Sequence, residues 1–233
     1  MIEITNLSKS YKTVDGSKKS VLNELNFKIS KGDKILLVGD NATGKTTLLK
    51  IIGLLDGNFQ GQYKIFDKDV HTLSSDYISK LRNETFGFIF QDYNLLEDET
   101  VYENILIPLL YSKKYSRNKR KLRIKEMLEN FDMEDVIYNK AKELSGGQRQ
   151  KVVSSRALIN DPEFLIMDEP TSSLNHKSKL EFIDFIEDVL NEKTIIHVTH
   201  DQFIIDLLSR RGYKILELNN GKLIDRKGTI ITI

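Results

Sequence analysis

A lysine, a threonine and two adjacent carboxylates stand in this sequence at spacings suited to phosphate chemistry. Lys45 and Thr46 close the stretch "GDNATGKTT", residues 39 to 47. Gly39, four residues, Gly44, then Lys and Thr is the Walker A fingerprint. The loop amides can form a nest for a phosphate chain at the positive end of a helix, with the ammonium on the β/γ-phosphates and the hydroxyl on Mg²⁺. Asp168 and Glu169 lie in "FLIMDEP", residues 164 to 170. Four apolar residues followed by aspartate is the Walker B pattern. It puts Asp168 at the carboxyl end of a buried strand, where an open α/β sheet receives ligands, as a holder of Mg²⁺ through hard oxygen donors. The neighbouring Glu169 points elsewhere and can orient or deprotonate a water, provided the cation and Lys45 neutralise the phosphate it approaches. A second phosphate device is "LSGGQ", residues 144 to 148. Ser145 supplies a hydroxyl, Gly146 and Gly147 let backbone amides approach an anion, and a helix start follows. Taken alone, that stretch reads better as a serine-capped turn.

The elements that must position these groups follow from hydrophobic patterning. Ile35 to Val38 form a continuous apolar run, read as a strand buried on both faces, and Leu48, Leu49, Ile52 and Leu55 recur at helical spacing after the loop. "IEITNL" and "VLNELNFKIS" alternate as strands; Gly53, Gly57 and Gly61 mark turns, and "QYKIFDKDV" resumes a strand pattern. From about 92 to 143 no glycine and one proline interrupt the chain, and Leu122, Met127, Leu128 and Phe131 share a stripe, which predicts a mainly helical inserted lobe. The basic run "SKKYSRNKRKLRIK" within it is read as a solvated face or exposed loop. "FLIM" and "TIIHVT" are further buried parallel strands, separated by a helix carrying Leu180, Ile183, Ile186 and Leu190 on one face; "YKILELNNGKLID" is a hairpin across Asn220 and Gly221.

Composition narrows the class. The chain has 233 residues, 39% hydrophobic and 30% charged, with a net charge of +1. That length suits one large α/β domain, and the charge predicts no generic attraction to nucleic acid or anionic lipid. There is no cysteine, so disulfides and thiolate metal sites are excluded. No stretch has the length of a signal-peptide core or a bilayer span, so any membrane role is expected to run through a partner.

In order and spacing these motifs resemble the nucleotide-binding domain of ATP-binding cassette transporters along essentially the whole chain. "GDNATGKTT" resembles its Walker A, "LSGGQ" its signature motif, and "LIMDEPTSSLN" its Walker B and D-loop. "VTHD" at 198 to 201 is similar to its switch region, which makes His200 the histidine on the γ-phosphate, while His197 is assigned to packing. "FIFQDYNLL" resembles the Q-loop, with Gln91 reaching metal and water and its neighbours touching a membrane partner. Tyr11 occupies the place of the aromatic that stacks on adenine.

The resemblance implies an α/β fold: a P-loop NTPase core of RecA type with a mainly parallel sheet, an N-terminal antiparallel β subdomain and an inserted helical subdomain. One cassette is expected over 1–233, with the core in 1–91 and 150–233 and the helical subdomain in 92–149. The implied cofactors are ATP and Mg²⁺. Tyr11, Gly39, Asp40, Asn41, Ala42, Thr43, Gly44, Lys45, Thr46 and Thr47 would hold the nucleotide, as would Ser145, Gly146, Gly147 and Gln148. Thr46, Gln91 and Asp168 would hold the metal, and Glu169, His200 and Gln91 would carry catalysis. In this family the signature loop completes the neighbour's site, so the implied assembly is a homodimer with ATP bound, peripheral on the cytoplasmic face of the plasma membrane and coupled to a separate permease.

The stretch "GFIFQDYNLLEDETVYENILIPLLY" is similar to the branch serving efflux of antimicrobial peptides and macrolides or lipoprotein release, which implies export, for instance of a bacteriocin. An importer subunit, a cassette acting on nucleic acid and a weakly hydrolysing regulatory subunit are the alternatives; no nucleic-acid partner is expected. Three departures stand out. Ala42 replaces a usual loop glycine and is tolerated if its φ is negative, so at most reduced nucleotide affinity is expected. Asn175 replaces the D-loop aspartate and loses a charge, and "RQKVVSS" after the signature has no functional reading.

Overall fold

The computed structural model describes residues 1–190 and 192–225. The chain runs β1 (Ile2–Lys12), β2 (Lys18–Ile29), β3 (Lys34–Val38), α1 (Lys45–Ile52), β4 (Gln60–Ile65), β5 (Lys68–Asp69) and α2 (Ser75–Thr85). There follow β6 (Phe86–Phe90), α3 (Val101–Tyr111), α4 (Arg117–Glu129), α5 (Gly146–Leu158) and β7 (Phe164–Asp168). The remainder is α6 (His176–Val189), β8 (Thr194–Val198), α7 (Gln202–Arg210), β9 (Lys214–Asn219) and β10 (Lys222–Asp225). Contacts group these into two compact units: Met1–Ile78 together with the chain from Thr194 onward, and Ser79–Lys193.

In the first unit, β2, β1, β4 and β5 form an antiparallel sheet in that order. Alternation drives it: Ile2, Ile4, Leu22, Phe27, Tyr63 and Ile65 are buried, as the two-residue period of a half-buried sheet requires. The stretch read as one strand at "QYKIFDKDV" reverses at Phe66 and Asp67, whose φ values of 49° and 62° make a tight hairpin turn. A second set of strands supplies the parallel component. β3 pairs in parallel with both β8 and β9, and β9 turns back antiparallel into β10. The turn between the last two is Asn220 and Gly221, as their sequence predicts, and it docks on β2 where the Asn23 amide donates to the Gly221 carbonyl at 2.8 Å. The mixed fold expected from the sequence, an antiparallel sheet beside a mainly parallel one, is the one observed.

Two hydrophobic assignments need correction. α1 ends at Ile52 with Gly53 as its cap, and the buried Tyr63 hydroxyl donates to the Ile52 carbonyl at 2.6 Å, satisfying a group the helix end leaves unpaired. Leu55 therefore lies beyond the helix and is 43% exposed. In the second unit, α4 buries Ile124, Met127 and Leu128, whereas Leu122 is 61% exposed. Phe131 is buried past the helix end.

That second unit is built on β6 and β7, parallel neighbours in register from Phe86↔Phe164 to Phe90↔Asp168. α3 packs on α4 and α5, and α5 on β6. A capping box fixes the start of α3: the Thr100 hydroxyl accepts from the Glu103 amide, and Glu103 accepts from the Thr100 amide. The basic run is only partly a solvated face. Lys114 donates to the Asn160 carbonyl and Arg123 to that of Ile159, tying the loop and α4 to the end of α5, while Arg120 donates to the Tyr115 carbonyl in the preceding loop. Among the described residues no helix is long and apolar enough to cross a membrane.

Candidate functional site

The first unit carries the phosphate loop. It leaves β3 at Gly39 and enters α1 at Gly44, with φ of 144° and 104°. A Cβ at Gly39 would lie 2.5 Å from the Leu218 carbonyl oxygen, and one at Gly44 would lie 2.6 Å from Val21 Cγ1. Both positions thus need glycine for conformation and for space. Lys45 is buried at 9% exposure, and its ammonium donates to the carbonyls of Gly39 and Asp40, each at 2.7 Å. Thr43 Oγ1 donates to the Asp40 carbonyl at 2.9 Å. The lysine is thereby clasped inside its own loop, while Asp40, Asn41, Ala42 and Thr46 remain at the surface and Thr47 is half-buried.

Ala42 overturns its expectation. Its φ is +62°, in the left-handed region where a Cβ is strained, so the loop keeps its left-handed bend at a steric cost that glycine would not incur.

Tyr11, near the end of β1, is 43% exposed, and its hydroxyl lies 3.4 Å from Thr47 Oγ1. The Lys9 ammonium sits 5.0 Å from the Tyr11 ring centroid and pairs with Asp56 at 2.7 Å. Burial alone would raise the Asp56 pKa, but the Lys9 hydrogen bond, the Asn58 amide and the charges of Lys9 and Lys50 together hold it below the ordinary value. His200 follows β8 and is exposed. The parallel register Leu37↔Val198 brings it out level with Gly39, at the carboxyl edge of both strands. The next residue, Asp201, caps α7 by accepting from the Phe203 and Ile204 amides. His197, three residues earlier, is fully buried and neither ring nitrogen has a partner; burial pushes its pKa down to about 3.

The second unit carries the carboxylates. Phe90 and Asp168 are register partners, so Gln91 and Glu169 emerge side by side at the carboxyl edge of β6 and β7. Gln91 is exposed, and Asp168 and Glu169 are half-buried. Glu169 has φ of +50°, a conformation that costs a non-glycine residue about 1–3 kcal/mol and concentrates at functional positions.

The signature stretch forms the serine-capped helix start that its sequence allowed. Ser145 is the N-cap of α5, accepting from the Gln148 amide at 3.4 Å, while the Gln148 side chain accepts from the Ser145 amide at 2.9 Å. Gln148 is thus committed to shaping the helix start. At Gly146 and Gly147 an added Cβ would meet nothing within 4 Å. Two glycines open a helix although no described residue crowds them, and each disfavours the helix relative to alanine.

Three residues to which the sequence assigned no role hold these pieces together. The Tyr93 hydroxyl lies 2.6 Å from Ser173 Oγ, in the stretch after Glu169, and donates to the Gly146 carbonyl at 3.4 Å. The Arg156 guanidinium, largely buried, donates to the carbonyls of Tyr93 and Asn94 at 2.8 and 2.7 Å; burial lowers its pKa. Arg149, in the first turn of α5, forms a two-pronged pair with Glu97 at 2.7 and 2.5 Å. No spacing rule marks these contacts, because their partners lie 52 to 80 positions away, some of them on main-chain carbonyls of an irregular loop.

Comparison with known proteins agrees with this geometry. The sequence model of the family described as "ABC transporter" matches residues 22–172. The macrolide export ATP-binding/permease protein MacB of Mannheimia succiniciproducens is 41% identical over 206 residues, covering 88% of this chain and 31% of that protein. MacB of Salmonella choleraesuis is 35% identical over 225 residues, covering 96% of this chain and 34% of its own. The chain thus spans about a third of the length of these curated relatives. Among solved structures, the dimeric cassette MJ0796 aligns with 98% of this chain and 100% of its own, with a TM-score of 0.84 and 31% identity. A post-hydrolysis state of MJ0796 bound to ADP and Pi aligns with a TM-score of 0.85 and 30% identity. With a phosphate loop, a strand-end carboxylate pair and an intact signature on the matching fold, this chain belongs to the ABC transporter family and is one of its ATPase cassettes.

Proposed function

We propose that two copies of this chain bind ATP between them and hydrolyse it to drive export through a membrane permease. The observation that carries the proposal is the open space at Gly146 and Gly147, a helix start that no described residue covers. A triphosphate gripped by the phosphate loop of a second copy is a ligand suited to such a start, and the dimeric state of MJ0796 supports it.

Each residue then has a role set by its chemistry. Lys45, with two of its three donors on loop carbonyls, presents positive charge to the β/γ-phosphates. Tyr11 offers a half-exposed ring to the adenine. Thr46, Gln91 and Asp168 would each offer an oxygen donor to Mg²⁺, a cation that keeps several waters and needs few protein carboxylates. When bound, it would supply charge neutralisation at the transferring phosphoryl group. Glu169 takes the proton of the attacking water, and His200 contacts the γ-phosphate. Ser145, Gly146 and Gly147 close the neighbouring copy's site, and closure and release of the pair form the power stroke.

The chain works at the cytoplasmic face of the membrane, attached to its permease. The cargo is proposed to be an antimicrobial peptide such as a bacteriocin; the names of the relatives point to macrolides as the competing class. Glu169→Gln should leave ATP bound, accumulate dimers in sedimentation analysis and abolish turnover. Turnover near that of the unmodified chain, or a strictly monomeric species at saturating ATP, would refute the scheme. For the cargo, loss of this chain in its host should raise sensitivity to a peptide antimicrobial. A selective rise in macrolide sensitivity would replace the peptide by the macrolide.

A further inference from the structure

The densest run of positive charge borders a groove that has no role in the scheme above. Residues 113–125 hold eight cations and no carboxylate. Lys114, Arg120 and Arg123 are committed to main-chain carbonyls. Arg117, Lys121, Leu122 and Lys125 instead share the face of α4 that lines a cavity of about 670 Å³. Its other walls include Tyr102, Glu134 and Tyr138. The segment carrying the last two is anchored to the start of α3, where the Val101 amide donates to the Asn139 carbonyl at 3.0 Å and the Tyr102 amide to that of Ile137 at 2.9 Å. Leu122 and Tyr138, at 61% and 70% exposure, leave two large apolar surfaces open beside the same recess. Lys125 pairs with Glu129 at 3.5 Å, but Arg117 and Lys121 have no ion-pair partner among the described residues.

We propose that this groove docks an acidic peptide segment of a partner protein, one with a large apolar side chain set between carboxylates. Charge complementarity carries the proposal: three cations and one carboxylate line the recess, while the chain as a whole has a net charge of only +1. Leu122 and Tyr138 add what charge alone does not select, a place for an apolar side chain laid into the recess. A concave site of this size admits side chains that protrude from a peptide, whereas a flat bilayer would meet only its rim. Glu134 among the cations weighs against nucleic acid, whose uniform phosphate charge offers it no counterpart, while a peptide can present a neutral residue there. Exposed ion pairs are individually weak and screened by salt, so the contact is transient, with a dissociation constant of roughly 10–100 µM at low ionic strength. None of these residues belongs to the nucleotide-binding set, so the proposal does not depend on the transport role.

The test uses a fluorescein-labelled peptide of sequence DEFDEL, followed by anisotropy with the intact chain in about 50 mM salt. The expected result is saturable one-to-one binding that weakens by at least about fivefold in about 300 mM salt. Lys121→Glu should weaken binding by about tenfold and Leu122→Ser by about fivefold, both with ATP affinity unchanged. Lys119→Glu, the same charge change on a face of α4 outside the groove, should stay within about twofold. The peptide DESDES, which keeps the charge and lacks the apolar side chains, should bind about fivefold more weakly. No saturable binding up to roughly 1 mM, equal weakening by Lys119→Glu and Lys121→Glu, or equal affinity for DESDES would overturn the proposal. Phosphatidylserine vesicles or oligothymidylate that displace the peptide, and lose their own binding in Lys121→Glu and Leu122→Ser, would replace the peptide by a lipid surface or a nucleic acid. Should Lys121→Glu fail to fold, unchanged affinity in Leu122→Ser overturns the proposal on its own.

Discussion

His197 makes the folded state sensitive to mild acid, and the effect can be worked through. The imidazole is fully buried in β8 with neither nitrogen paired, and burial pushes its pKa from 6.5 down to about 3. Between those values the unfolded chain binds a proton that the folded chain refuses. Stability therefore rises with pH through this window, is complete above about pH 6.5, and is lost progressively as the pH falls toward 3. Shifting from pH 7.5 to 5.5 should remove about 1.4 kcal/mol through this residue, one pKa unit of protonation free energy at the lower pH. Carboxylates titrate over the same range, so the quantity to measure is the difference between the unmodified chain and His197→Met, by urea unfolding at each pH. At pH 7.5 the variant should be as stable or more stable, by up to about 1–3 kcal/mol, because it removes an unsatisfied buried group. At pH 5.5 its advantage should grow by the further 1.4 kcal/mol, an order-of-magnitude figure. An advantage that stays constant across pH, or a variant less stable at both values, would show that the imidazole is paired or solvated and that the reasoning is wrong.

Further outcomes follow from the loops. Ala42→Gly relieves a left-handed alanine at about 1–2 kcal/mol but adds unfolded-chain entropy of about 0.4–1 kcal/mol, for a net gain between about 0 and 1.6 kcal/mol, of which about 0.5 kcal/mol is a low central value. In thermal melts that is a rise of about 1–2 °C, with ATP affinity equal or higher; a lower melting point would contradict the strain seen at φ +62°. Tyr93→Phe removes the hydroxyl joining Ser173 and Gly146. It should leave ATP affinity of the single chain unchanged and reduce steady-state hydrolysis by roughly fivefold, one hydrogen bond's worth. Full hydrolysis would leave that bridge without mechanical consequence. Lys45→Ala should lower ATP affinity by at least about tenfold, since it deletes the only buried cation of the phosphate loop; isothermal titration showing unchanged affinity would remove Lys45 from the phosphate site.

Contiguous residues carried most of what could be read directly from the sequence. The phosphate loop, the strand-end carboxylates, the serine cap before α5 and the Asn220–Gly221 hairpin each depend on backbone geometry within a few positions, so type and spacing suffice to recognise them. Where an element stops is less visible: Leu55 and Leu122 fit a helical period, yet Gly53 ends α1 before the first, and the packing of Ile124, Met127 and Leu128 turns the second to solvent. Only tertiary structure decided the sign of φ at Ala42, the Tyr93 bridge and the isolation of His197. Each of those is a relation between segments distant in the chain, or a backbone state imposed by them, and side-chain identity at one position does not encode what packing will place against it.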